Sequence, residues 1–121
     1  MLPPKKKRVR MMVDDDPARV RSPGHMAWVR NTFLCVAHKS GECQGRMESH
    51  HVREEGNGGT GIKPSDEFVI PACALHHKTG HDIGWKTFES RYKVNLLALS
   101  KEFWQRSPHR RKWELEHGKA E

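Results

Sequence analysis

The sequence predicts a small α+β domain with two antiparallel strands, a long loop between them and a helix directly after the second strand. Residues 54–62 are too rich in glycine for a helix or a strand and predict the loop. Residues 47–52 and 67–72 are short segments, partly β-branched or aromatic and bounded by turn residues, so we expect them to form the strands. Residues 73–81 have helical character, which completes the order strand, loop, strand and helix.

Two further helices are expected downstream. Apolar and aromatic residues recur there at helical spacings, namely Trp85, Phe88, Tyr92, Leu96, Leu97, Leu99, Phe103 and Trp104. Asn95 is a suitable N-cap for the second of these helices, and Ser107 followed by Pro108 predicts its end. A stripe of this kind is more typical of a core face than of a platform for stacking nucleobases.

Charge and proline content divide the chain into three parts. Residues 1–25 carry a basic run, an acidic run and little that can pack, which predicts a basic arm that is disordered or loosely docked. Residues 26–107 form the expected domain, and residues 108–121 form a basic tail. Residues 4–9 resemble a nuclear localisation signal, but short basic runs more often indicate only local positive charge.

Composition limits the class of protein. With 121 residues, 35% of them hydrophobic, the chain can form one domain with a thin core that would benefit from a bound metal. No apolar run approaches the roughly 20 residues of a membrane span, so we expect a soluble cytoplasmic protein without a membrane partner, or a nuclear one if the basic run is a localisation signal. The net charge of +7 and the pI near 9.6 favour nucleic acid as the partner.

The cysteines indicate metal binding rather than disulfides, because three thiols leave one unpaired. Cys35, Cys43, Cys73 and His76 supply the four ligands of a closed tetrahedral zinc site. A nucleophilic cysteine is the competing interpretation, but it needs one thiol only and leaves Cys35 and Cys43 unexplained. We therefore predict a structural Zn²⁺ held by these four residues.

The histidines predict a second metal site, since five of the nine fall within two short segments. His77 and His81 are four residues apart and share one face of a helix, whereas His76 lies about 100° away from His77. With His50 they supply three ligands and leave an open coordination position, as a hydrolytic metal requires. Such ligands suit Zn²⁺ or Ni²⁺, while Mg²⁺ and Mn²⁺ are the abundant cellular ions.

His51 remains for acid–base chemistry. Adjacent residues of a strand point to opposite faces, so His51 need not bind the ion of His50 and is free to act as a general base. The alternative is a His51 that only packs or contacts solvent. Arg53 and Lys63 flank this segment and are candidates to bind phosphates of the substrate, although basic residues beside a glycine loop are as often merely solvated.

These motifs together resemble the HNH endonucleases, which have a ββα-metal core. The likeness rests on His-His-Val from His50, on Gly-x-Gly-Gly-Thr-Gly-x-Lys-Pro-x-Asp from Gly56, and on Ile-Pro-x-Cys-x-x-His-His-x-x-x-His from Ile70. The Cys-x7-Cys spacing and residues 88–98 are similar to those of small phage and prophage HNH proteins, including the phage recombination-associated nuclease.

The resemblance implies a zinc knuckle, flanking C-terminal helices and metal-dependent hydrolysis of phosphodiester bonds in DNA, either single-stranded or duplex. It also implies a role in recombination or DNA processing, with another phage protein as a partner. His51 is then the general base, and the ligands of the catalytic ion are His50, His77 and His81. The motif's central asparagine has no clear counterpart; Asp66 is the best candidate for orienting His51, and Asn57 is a weaker one.

Two alternative functions are also compatible with this sequence. A catalytically silent zinc module that binds DNA in a recombination complex needs the same cysteines and histidines. A basic nucleic-acid chaperone that acts through its tails binds without any metal dependence and leaves the histidines unexplained. The feature that separates a nuclease from both is His51 beside an open metal coordination position.

Overall fold

The computed structural model describes residues 19–53 and 64–117 of the chain. Five helices, two strands and a short 3-10 helix (His38–Ser40) form in this part: α1 (Pro23–Thr32), β1 (Met47–His51), β2 (Val69–Cys73), α2 (Ala74–Ile83), α3 (Trp85–Tyr92), α4 (Leu96–Arg106) and α5 (Pro108–Glu116). The α+β class and the predicted order of strand, strand and helix are confirmed. None of the helices within the described ranges has the length and apolar character of a membrane span.

The two strands form an antiparallel pair in which His50 lies opposite Ile70 and Glu48 lies opposite Ala72. Every residue of β2 is buried, whereas every residue of β1 is half-buried. Helices α1 and α4 both contact β2. The buried strand therefore supports β1, whose residues Ser49, His50 and His51 line a cleft.

Two N-caps define the C-terminal helices. Asn95 Oδ1 accepts a hydrogen bond from Ala98 N at 3.0 Å and begins α4, as the sequence predicts. Ser107 ends α4 as expected, but its Oγ also accepts from His109 N at 3.1 Å, and Pro108 occupies the first turn of another helix. The segment predicted as a basic tail therefore begins with helix α5, whose Trp113 is buried.

Helix α1 begins at Pro23, ahead of the domain start that the sequence predicts at residue 26. Its N-cap is Ser22, whose Oγ accepts from His25 N at 3.2 Å. Val20 packs with Trp104 and Trp113 in a small cluster of buried side chains. The end of the predicted N-terminal arm is thus docked on the domain, while residues 1–18 lie outside the described residues.

The aromatic stripe is mainly a core face, as predicted: Phe88, Phe103 and Trp104 are buried. Trp85 differs, because it is half-exposed and stacks on His50 with ring centroids 4.0 Å apart and planes at 22°. A Cβ placed on Gly80 would overlap the Trp85 ring. Glycine at position 80 therefore lets the indole lie directly on helix α2 beside the histidines.

Gly80→Ala should destabilise the protein by about 1–3 kcal/mol through overpacking against Trp85. Helix propensity alone predicts the opposite sign, since alanine in a helix is favoured over glycine by about 1 kcal/mol. Urea unfolding followed by circular dichroism measures the difference, with the exposed helical substitution Ser90→Ala as the control. A stabilised Gly80→Ala protein would contradict the close contact between Gly80 and Trp85.

Candidate metal centres and catalytic cleft

The three thiols and His76 converge on one point. Nδ1 of His76 lies 3.2 Å from Sγ of Cys73, 3.5 Å from Sγ of Cys35 and 3.7 Å from Sγ of Cys43. A tetrahedral zinc ion with bonds of about 2.3 Å to sulfur and 2.0–2.1 Å to nitrogen separates these atoms by about 3.6 Å. The donor set and its spacing fit Zn²⁺, so the predicted four residues form a possible Cys3His metal site.

Backbone and side-chain groups around the thiol cluster orient its ligands. The N–H groups of Ala37 and His76 donate to Sγ of Cys35 and Cys73, both at 3.4 Å. Nε2 of His76 lies 3.3 Å from Oγ of Ser40, which accepts its proton when Nδ1 faces the metal. Such outer contacts hold the ring of a metal-binding histidine in one orientation.

Two of the three thiols resist ionisation in this cluster. Partial desolvation of the thiol, with a further contribution from the neighbouring thiols of Cys35 and Cys73, raises the pKa of Cys43 to about 12. Burial also raises the pKa of Cys35. A metal binds the thiolate form, and a divalent cation would offset the repulsion among three thiolates. Binding would connect α1, β1, β2 and α2, because the ligands come from the segments between or within these elements.

The second predicted cluster also forms. Strand β1 contributes His50 and helix α2 contributes His77 and His81, with one ligand atom of each within 4.8 Å of the others. The ring centroid of His50 lies 5.0 Å from that of His77 and 5.4 Å from that of His81. A metal ion held by these three nitrogen atoms would have a coordination position left for water or another oxygen ligand.

Glu48 orients one of these histidines and was not predicted. Its Oε1 lies 2.7 Å from Nδ1 of His77. A carboxylate only accepts hydrogen bonds, so Nδ1 carries the proton and Nε2 keeps its lone pair for a metal. Strand alternation contains the signal that identifies Glu48, because residues 48 and 50 share one face of β1.

His50 is uncharged at neutral pH. Burial, followed by repulsion from His77 and His81, lowers the pKa of His50 to about 3. An imidazole binds a metal only through an unprotonated nitrogen. The environment that disfavours the proton therefore favours a metal ligand.

The neighbouring His51 makes a different contact, as its position on the opposite face of β1 predicts. Nε2 of His51 lies 2.8 Å from Oδ1 of Asp66. The predicted partner is thus in place, and the carboxylate assigns the proton to Nε2 and leaves the lone pair on Nδ1. The side chain of His51 is 26% exposed, so water can reach it.

Asp66 is only 3% exposed, and hydrogen bonds hold both its side chain and its backbone in place. Ser22 N donates to its Oδ2 at 2.7 Å, and its own backbone N–H donates to Val20 O at 2.9 Å. Burial alone would raise the pKa of Asp66, but the hydrogen bonds from His51 and Ser22 N and the charges of His51 and Arg21 outweigh burial and lower it. Asp66 is therefore an anion at neutral pH.

A cleft of about 940 Å³ brings the two histidine arrangements together. His51 and the three histidines of the second cluster line it, and so do Arg53 and Lys86. Lys86 is a cation beside the site that the sequence did not single out. Lys63 and Asn57, which the sequence proposes for phosphate binding and for orienting His51, lie outside the described residues.

Cys43→Ser should lower both the zinc content and the cooperativity of thermal unfolding, since the binding free energy of a metal in so small a domain contributes directly to folding. Cys43 is the exposed ligand, so the substitution leaves no buried hydroxyl. Metal analysis of the purified protein and calorimetry measure the two effects, with Lys39→Ser in the nearby 3-10 helix as the control. A fully folded Cys43→Ser protein with unchanged zinc would rule out this site.

Most of the chain matches one protein family. Residues 2–110 match the family described as "Protein of unknown function (DUF968)". The chain is also similar to "Uncharacterized protein YdfU" of Escherichia coli (strain K12), at 30% identity over 102 residues that cover 80% of this chain but only 29% of that protein. No solved structure matches. Neither description states an activity, so the likeness to HNH nucleases stays a prediction. The extent of the family match shows that the chain belongs to the DUF968 family.

Proposed function

We propose that this protein is a metal-dependent endonuclease of the HNH type that hydrolyses phosphodiester bonds in DNA. The observation that carries the proposal is that His51, which pairs with the buried carboxylate of Asp66, lines the same cleft as His50, His77 and His81. A structural or DNA-binding zinc module needs neither an open three-histidine site nor a histidine held by a buried anion. A metal-dependent hydrolase with a histidine base uses both.

The residues of the cleft have separable tasks in this reaction. His51 accepts the proton of the attacking water at Nδ1, while Asp66 stabilises the resulting imidazolium through Nε2. His50, His77 and His81 would hold a divalent ion, which supplies Lewis-acid stabilisation of the charge on the phosphate and on the leaving oxygen. Glu48 keeps Nε2 of His77 available for that ion. Arg53 and Lys86 are suitably placed at the cleft to bind phosphates on either side of the scissile bond.

The structural zinc has a supporting part in the proposal. His76 and His77 are consecutive residues of α2, and His76 lies in the thiol cluster. A metal at the thiol cluster would fix the first turn of α2 and with it the position of His77. The proposed enzyme therefore uses one ion for its fold and a second, exchangeable ion for hydrolysis.

His51→Ala should lower the cleavage rate by roughly 10²- to 10⁴-fold, because it removes the general base. The fold, the zinc content and the DNA affinity should stay unchanged. His77→Ala should lower both the rate and the occupancy of the second site, and added divalent ion should restore activity partly in His77→Ala but not in His51→Ala.

Supercoiled plasmid and single-stranded circles, each incubated with Mg²⁺, Mn²⁺, Zn²⁺ or Ni²⁺ and with chelator, provide the assay. His117→Ala is the matched control, since His117 lies outside both clusters. If wild-type protein cuts no substrate with any ion but binds DNA, the silent zinc module is the correct interpretation. Equal cleavage by wild type and His51→Ala would remove His51 from the mechanism.

Asp66→Asn should reduce kcat by about 10- to 100-fold with little change in KM or metal content, because it disturbs the orientation of His51 and not the binding of substrate. The control is Asp82→Asn, which removes an exposed carboxylate of α2 that pairs with Lys78. Circular dichroism should establish that the Asp66→Asn protein is folded before its kinetics are compared. A folded variant with wild-type kcat would exclude a positioning role for Asp66.

A further inference from the structure

The cleft has an apolar wall that has no role in the proposed metal-assisted hydrolysis. It is formed where α3 connects to α4: Val94 and Leu97 are half-buried, Leu96 is buried, and all three line the cleft that contains His50 and His51. Trp85 adds aromatic surface to the same cleft, stacked against His50. Apolar side chains that remain partly exposed inside a functional cleft usually contact the ligand.

We propose that this wall binds the base of an unpaired nucleotide, so that the substrate of the cleft is single-stranded nucleic acid, or an unpaired stretch within a duplex, rather than intact duplex. The inference rests on the proposed nuclease function and names the substrate class of the same site. Apolar and aromatic side chains bind the faces of nucleobases by stacking, and those faces are available only when the base is unpaired and unstacked. Recognition of a duplex backbone uses charged and polar groups instead.

The size of the cleft agrees with this occupant. Its volume of about 940 Å³ lies at the upper end of the roughly 300–1,000 Å³ of small-molecule sites. A cleft of these dimensions can accommodate a base with its sugar and phosphate.

The charges around the wall also favour a base over a second phosphate backbone. Glu89 lines the cleft, and its Oε2 accepts a hydrogen bond from Leu96 N at 2.8 Å, which places a carboxylate beside the wall. A carboxylate repels a phosphodiester but accepts hydrogen bonds from the amino groups of bases. Asn95 uses Oδ1 to cap Ala98 N and retains its amide N–H groups as donors toward a base edge. Arg53 lines the cleft close to His51 in sequence, where a phosphate is expected.

One oligonucleotide sequence in three forms tests the substrate class: single strand, perfect duplex, and duplex with a central unpaired loop of a few nucleotides. The single strand and the looped duplex should be cut at least tenfold faster than the perfect duplex, with cuts in the looped form at the unpaired nucleotides. Parallel DNA and RNA versions identify the sugar that the site accepts. A perfect duplex cut as fast as the single strand would overturn the inference and leave the nuclease function intact.

Leu97→Ala should raise KM for the single strand by about tenfold with kcat nearly unchanged, and Val94→Ala provides a second test on the same wall. Leu115→Ala is the matched control, because Leu115 is an exposed leucine of α5 that does not line the cleft. An unchanged KM in both wall variants would contradict a role for the wall in binding.

Binding measurements separate the failure of this inference from the failure of the proposed function. Fluorescence anisotropy with labelled single-stranded and duplex oligonucleotides requires no cleavage. If no form is cut but the single strand binds at least tenfold more tightly than duplex and Leu97→Ala removes the difference, the wall binds bases although the nuclease proposal fails. Equal affinity for both forms would overturn the inference independently of activity.

Discussion

The placement of His76 in the thiol cluster organises the rest of the site. Consecutive helical residues project about 100° apart, so α2 directs His76 to the thiols and His77 to the other histidines. His76 is only 1% exposed and its Nδ1 faces three sulfur atoms. Helix α2 therefore cannot rotate about its axis without breaking this arrangement, and its rotation determines where His77 and His81 point.

The side chains of strand β1 alternate between its two faces. Glu48 and His50 face helix α2, where Glu48 orients His77. Ser49 and His51 face the other side, where Ser49 Oγ donates to Met26 O at 2.7 Å and His51 contacts Asp66. Of the two consecutive histidines, His50 is thus a possible metal ligand and His51 a possible base, because the two faces of the strand contact different partners.

Local periodicity accounts for what the sequence predicts well. The two clusters of candidate metal ligands and the cap at Asn95 follow from spacings within a helix or strand or from short motifs, whereas Asp66 as the partner of His51 follows from the resemblance to HNH nucleases. Helix α1 was missed although Ser22 followed by Pro23 is a recognisable start signal. Ser40 and the apolar wall at Leu97 could not be predicted, since they approach the sites only through tertiary packing. The predicted tail is partly helical because Ser107 both ends α4 and caps α5.

The orientation of His51 depends on parts of the chain that are distant in sequence. Asp66 is held by the backbone of residues 20 and 22, and Val20 is in turn buried against Trp104 and Trp113. Helix α5 therefore contributes to the position of the carboxylate although none of its residues lines the cleft. Because a buried anion stays in place only while its hydrogen-bond donors do, the orientation of His51 is linked to packing at the opposite ends of the domain's sequence. Residues 108–117 consequently belong to the folded domain and not to a solvated tail.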